Sequence, residues 1–216
     1  MERIFSDLRK QGVGAEMKHT PIITKEEEDQ LWKAKEMGTE TPKQLLQAVF
    51  FYVGKVFCLR GGVEQRGLKV SQFQRRYSPD HYVYVENGSK NNSGANLKVQ
   101  NKVVPVYANV ESGARCVVAL LDKYLSKLPP VAFEKDIFYM KPKAATPVDA
   151  DSPWYEGAPV GKETLRTMLA KMCERAGVER KSNHSLRATG ATEMFAANVP
   201  EKLIQSRTGH RSLDAL

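Results

Sequence analysis

His184 and Arg187 stand three residues apart, and Gly209-His210 follows 23 residues after Arg187. On a helix, positions three apart share a face, so an imidazole and a guanidinium would point the same way. Near a helix N-terminus such a pair suits a phosphate: the fork grips its oxygens, the imidazole trades protons, and the helix dipole favours the negative charge. Arg60 lies upstream, directly before Gly61-Gly62, where the missing side chains would let a phosphate come close. Arg66, Arg75 and Arg76 compete for any role given to Arg60. Lys90 sits among small polar residues, where a mobile ammonium could reach and protonate an alkoxide leaving group. Lys98 and Lys102 stay open as alternatives to it. Each residue also has an ordinary reading, as a solvated charge or as a helix-terminal arginine satisfying carbonyls.

The elements that must position these residues follow from periodicity. Thr24 with Glu27 is a capping box that predicts a helix from Lys25 to Met37. Thr41-Pro42 opens a second helix, whose Leu45, Leu46, Val49, Phe50, Val53, Val56 and Phe57 recur at helical spacing and mark it as buried. A helical turn from Glu64 to Leu68 follows the paired glycines. Residues 82–86 alternate aromatic and β-branched side chains and predict a strand, with a return strand from Lys98 to Tyr107. The Asn/Ser/Gly tract between them would form a long tip bearing Lys90. A helix is predicted from Gly113 to Lys127, ended by Pro129-Pro130, then a short strand from Asp136 to Met140. Residues 141–160 read as a surface loop in which Trp154-Tyr155 either plugs a satellite core, the favoured reading, or stacks on a partner. Gly161 to Ala176 is an amphipathic helix stopped by Gly177, and helices over 184–197 and 200–207 follow, with another starting after Ser212. Helices around a small hairpin make an α+β fold, mainly helical.

The 216 residues carry 33 Lys and Arg against 25 Asp and Glu, a formal charge of +8, which favours a polyanionic partner such as nucleic acid. Cys58, Cys116 and Cys173 form no CxxC pair, so a zinc knuckle or disulfide framework is not expected. Reduced thiols of an intracellular protein fit better. No apolar run approaches a membrane span and no apolar leader begins the chain. No cofactor, metal or small-molecule substrate is expected, and no membrane contact.

The order Arg60, Lys90, His184-x-x-Arg187, Gly209-His210 resembles the catalytic series of the tyrosine recombinase (phage integrase) family. It is most similar to Crypton-type eukaryotic recombinases and the related domain of MYM-type zinc-finger and glutamine-rich host proteins. The likeness runs over residues 22–216, carried by Leu59-Arg60-Gly61-Gly62 with Glu64, Ser89-Lys90, Trp154-Tyr155 with Pro159-Val160-Gly161, Asn183 to Thr189, and Gly209 to Ser212. It implies a tyrosine-recombinase catalytic domain with a small antiparallel sheet. It also implies duplex DNA as partner, a tetrameric synapse on DNA, a nuclear location, and strand transfer through a 3′-phosphotyrosine without metal or nucleotide. In that mapping Arg60 and Arg187 hold the non-bridging oxygens, Lys90 protonates the leaving 5′-oxygen, His184 assists proton transfer and His210 hydrogen-bonds the phosphate. Arg66, Arg207 and Arg211 would contact the DNA backbone.

Two departures shape the expectation. In the family a nucleophilic tyrosine follows the last histidine by about nine residues, past Leu216, and Tyr52, Tyr77, Tyr82, Tyr84, Tyr107, Tyr124, Tyr139 and Tyr155 do not occupy that place. The helical clamp such enzymes carry upstream would precede residue 22, and residues 1–21 read as a remnant or linker. The expected protein is therefore a recombinase catalytic domain that binds DNA and does not cleave it alone. The alternative is a domesticated, non-catalytic DNA-binding or interaction module of a nuclear regulator.

Overall fold

A computed structural model describes residues 20–59, 61, 63–86, 102–146, 149 and 151–209. Helix α1 (Lys25–Lys33) starts on the expected capping box, with Thr24 Oγ1 accepting from Glu27 N–H at 3.2 Å and Glu27 accepting from Thr24 N–H at 2.9 Å. It stops short of Met37 because Lys35 takes a left-handed conformation (φ 57°), the place usually given to glycine. The amides of Glu36 and Met37 then fold back onto the carbonyl of Leu31.

Helix α2 (Pro42–Val56) is the central pillar. Thr41 caps it, Pro42 fills a first-turn position that needs no donor, and Leu45 through Val53 are buried on nearly every side. A short α3 (Val63–Arg66) follows its C-terminal end. Strands β1 (Phe73–Tyr77), β2 (Asp80–Val85) and β3 (Val103–Tyr107) then form an antiparallel sheet in the order β1-β2-β3. The sequence reading passed over β1, because a polar edge strand shows no apolar alternation. Only Phe73 is buried there, while Arg75 joins Asp122 and Asp80 and lies between the rings of Tyr77 and Tyr82. On β3, Val104 and Val106 are buried and Val103, Pro105 and Tyr107 are exposed. The amide of Glu86 bonds the carbonyl of Lys102, and that of Ala108 bonds Asp80, so even-numbered residues face β2 and Pro105 sits where the edge needs no donor.

The helix expected over Gly113 to Lys127 is split. A 3₁₀ segment (Val110–Arg115) breaks at Gly113, whose backbone is non-helical (φ 53°, ψ −126°), and α4 (Val117–Ser126) begins after Cys116. Pro130 starts a helix as well as ending one: α5 (Pro130–Glu134) takes it at its first position. Asp136 adopts φ 52°, which delays the expected strand, so β4 spans Met140–Pro142 and pairs with β5 (Tyr155–Pro159) from the predicted loop. Trp154 and Tyr155 are buried as a plug, and the Tyr155 hydroxyl donates to the carbonyl of Pro42 at 3.1 Å. Helix α6 (Lys162–Ala176) ends on left-handed Gly177, as expected, and α7 (Asn183–Ala196) and α8 (Glu201–Thr208) follow. The three cysteines are free and buried. Among the described residues no helix is long and apolar enough to cross a membrane.

Candidate phosphate-binding site

Helix α7 carries His184 and Arg187 on its first two turns, and its seat is unusually close. A Cβ on Gly190 would lie 2.1 Å from the carbonyl oxygen of Lys55 and 3.1 Å from Cys58 Sγ. One on Gly54 would lie 2.6 Å from Leu186 Cδ1. At Gly190, α7 therefore lies directly on the backbone of α2, an approach that only glycine allows, and at Gly54 the missing side chain makes room for that of Leu186. Other ties hold the N-terminal half of α7. Thr189 Oγ1 accepts from the amide of Ile23 at 2.8 Å, and Asn183 Nδ2 donates to Leu165 O at 2.9 Å. Lys181, buried just before α7, pairs with Glu27 at 3.1 Å and Glu179 at 2.8 Å. Gly61 packs on the same turn, with Asn183 Cβ 3.2 Å from where its own Cβ would be.

Against this frame the expected site residues fall into two groups. His184 is exposed at the first turn of α7, and Arg187 is 4% exposed one turn later. Partial loss of water, and then the positive charge of Arg187, hold the His184 imidazole below its usual pKa. Neutral imidazole is thus the form present at pH 7. Arg66 ends α3 and Arg207 lies on α8. Arg60, Lys90, His210 and Arg211 lie outside the described residues.

Two further groups complete the charge pattern, and the first had stayed open in the sequence as an alternative to Lys90. Lys102, which extends the inward parity of Val104 and Val106, sends its ammonium under the sheet to the carbonyl of Phe57 at 2.5 Å. Burial lowers its pKa and Arg187 lowers it further, against the pull of Cys58, Glu64 and Glu86. Period-two alternation across β3 was the signal that could have found it. The second is Arg207, partly buried, whose Nη2 donates to Pro105 O at 3.2 Å and whose Nη1 approaches Met194 Sδ at 3.9 Å. Burial lowers its pKa too, and its Nε finds no acceptor among the described residues. Between these cations lies Cys58, a thiol pushed up by burial although Lys102, Arg207 and Arg187 favour its ionised form. The C-terminal end of α2 therefore gathers three buried or half-buried cations around one neutral thiol. Such a place is suited to an anion.

A family profile described as "Domain of unknown function (DUF3504)" matches residues 22–174, more than half of the chain. The chain belongs to this family. DUF3504 relatives include human Zinc finger MYM-type protein 2, 27% identical over 185 residues that cover 76% of this chain and 13% of that protein. The mouse Transcriptional regulator QRICH1 is 29% identical over 182 residues, covering 77% of this chain and 22% of its own length. The chain thus spans less than a quarter of either relative. Among solved structures, the XerH site-specific recombinase bound to palindromic difH substrate, in a post-cleavage complex, superposes with a TM-score of 0.62. That match is 17% identical and covers 95% of this chain and 50% of that one. The Tn1549 transposon integrase in complex with circular intermediate DNA matches at TM-score 0.56 and 13% identity, covering 93% and 61%. At such identities the likeness speaks to the fold, and the DUF3504 chain has the fold of a tyrosine-recombinase catalytic domain.

Proposed function

We propose that this chain binds duplex DNA by gripping a backbone phosphate at the N-terminal turns of α7. The observation that carries the reading is the convergence of Arg187, Lys102 and Arg207 at the C-terminal end of α2, in the fold of a recombinase catalytic domain. Arg187 holds non-bridging oxygens with its fork, and neutral His184 donates a hydrogen bond to the phosphate or assists proton transfer beside it. Arg60 and His210 join the grip by resemblance, with Arg66, Arg207 and Arg211 on neighbouring phosphates. Lys90 serves as the acid for a leaving 5′-oxygen, with Lys102 as its competitor. Residues 22–216 act as one domain and residues 1–21 as a linker. Kinship with Crypton-type recombinases, a nuclear location and a four-subunit synapse belong to the same reading.

Within this chain the grip positions a phosphodiester without cleaving it. Tyr52, Tyr82, Tyr84, Tyr124, Tyr139 and Tyr155 are buried, and loss of water holds each phenol well above its usual pKa. Buried phenols of that kind make poor nucleophiles. Tyr77 and Tyr107 are exposed but engaged, Tyr77 beneath Arg75 and Tyr107 stacked on His81. A second reading, a non-catalytic DNA-binding module of a regulatory protein, is favoured by the name of the QRICH1 relative, a transcriptional regulator.

Fluorescence anisotropy with labelled duplex, across salt concentrations, tests the grip. Binding should weaken steeply with salt, and Arg187→Ala should weaken it at every salt and flatten the log–log slope by about one. Equal affinity of wild type and Arg187→Ala would end the proposal. A nicked suicide substrate should give no covalent adduct, and an adduct would mean that a tyrosine in this chain attacks.

A further inference from the structure

Lys55 sits near the C-terminal end of α2, a helix buried along most of its length, where an unpaired ammonium would be costly. Its Nζ reaches Glu28 Oε2 on α1 at 2.7 Å and Glu193 Oε1 on α7 at 2.9 Å. The α1 side is rigid. Glu28 also accepts from the Tyr52 hydroxyl at 2.5 Å, and Tyr52 accepts from Trp32 Nε1 at 3.1 Å. The Lys55 ammonium lies 5.7 Å from the centre of the Phe51 ring and 5.5 Å from that of Tyr52. The α7 side is lighter: the Glu193 side chain is 55% exposed, against 12% for Glu28.

On α7, Leu186, Gly190 and Glu193 recur at i, i+4 and i+7, so they lie along one face. Each meets α2 in turn. Leu186 rests on Gly54, Gly190 on the carbonyl of Lys55, and Glu193 on the Lys55 ammonium. The first two contacts are steric and set how closely α7 lies on α2. The ion pair adds a directional bond that weakens as α7 turns about its axis. A rotation of roughly 20° would carry a guanidinium several ångströms from the helix axis sideways by about 2 Å, enough to break a hydrogen bond.

We propose that Lys55 and Glu193 are positioning residues, an ion-pair latch that sets the rotation of α7 on α2 and so aims Arg187 and His184 at the phosphate. The inference rests on the phosphate-grip reading for its purpose, though not for its geometry. It makes a prediction of unusual sign. Removing an acidic side chain from a DNA-binding protein should strengthen DNA binding by simple electrostatics. If Glu193 aims the grip, its removal weakens binding instead.

The test is Glu193→Ala, measured by duplex anisotropy across salt and by NMR titration of His184, with the melting transition as a control for folding. The Glu28–Lys55 pair remains in this variant, so the fold should survive. Expected is a loss of affinity of about three- to thirty-fold, the range of a remote coupling. His184 should titrate higher, because a loosened turn returns water to its ring. Direct loss of the Glu193 charge, about 13 Å along the helix, would push His184 weakly the other way. Unchanged or tighter DNA binding with an unmoved His184, alongside a weakened Arg187→Ala, would overturn the latch and leave the grip standing. If Arg187→Ala binds as well as wild type, the grip fails, and the titration then decides: a raised His184 upholds the latch and an unmoved one overturns it. Should Glu193→Ala itself melt far below wild type, Glu193→Met, which keeps the length of the side chain without an acceptor for Lys55, replaces it under the same criteria.

Discussion

Two lysines at the C-terminal end of α2 have opposite circumstances. Lys55 is buried, yet Glu28 and Glu193 outweigh the burial and hold its ammonium above the ordinary lysine range. Lys102 reaches the same helix end and bonds a carbonyl, Phe57 O, and burial holds its pKa down against the pull of Cys58, Glu64 and Glu86. One cation is held in direct ion pairs, whereas the other bonds a neutral carbonyl and feels its carboxylates only at longer range. Under the proposed grip, Lys55 serves the architecture and Lys102 serves the phosphate. Glu28, Tyr52 and Trp32 are spent on architecture, while Lys102, Arg187 and Arg207 surround a thiol that stays neutral.

Mutations at the two lysines should separate these roles. The largest stability loss is expected from Lys55→Met, which leaves Glu28 buried without its cation, a defect of about 3–5 kcal/mol in urea unfolding. Next, Gly190→Ala drives a methyl to within 2.1 Å of the Lys55 carbonyl. It should cost about 1–3 kcal/mol by the same measurement and weaken DNA binding in proportion to the shift of α7. At the other lysine, Lys102→Met should change stability by less than about 1 kcal/mol, in either direction, because relief of the buried charge offsets the lost bond to Phe57 O and the pull of Glu64 and Glu86. Its effect should appear in DNA affinity, a loss of about tenfold or more for one charge-assisted phosphate contact. If Lys102→Met unfolds the protein and Lys55→Met does not, the comparison is reversed.

The lysines also differ in their response to pH. The folded-state pKa of Lys102 lies below that of the unfolded chain, so the unfolded state binds more protons between the two values. Wild type should therefore gain stability as pH rises through the lowered value towards about 10.5, and Lys102→Met should lose that gain. The smallest effect concerns His184. Its pKa is depressed in the free protein, and a bound phosphate would raise it. DNA affinity should then increase as pH falls below about 6.5, a trend that His184→Gln removes.

Local chemistry explains what was legible. The caps at Thr24, Thr41 and Gly177, and the 3.6-residue periodicity of α2 and α6, needed no knowledge of neighbours, and those helices lie where expected. The misreadings came where one residue did two jobs or a rule had an exception. Pro130 both ended and began a helix, Lys35 and Asp136 took backbone conformations that favour glycine, and Gly113 broke a helix whose apolar pattern continued. Strand β1 was missed because its partners are charges. Arg75 needs Asp122, 47 residues away, to make sense in a strand.

By itself the sequence determined the capped ends of α1, α2 and α6, the cationic excess, and an ordered set of motifs that resembles a recombinase site, with His184 and Arg187 one turn apart on α7. Only the tertiary structure decided that α7 lies directly on the backbone of α2 at Gly190, that Lys102 turns inward to Phe57, and that Lys55 is held in direct ion pairs while Lys102 bonds a carbonyl. The reason is physical. Helix caps and periodicity act within a few residues, whereas burial and charge pairing depend on partners far away in sequence, and a lysine reads the same in sequence whether or not it will meet a carboxylate.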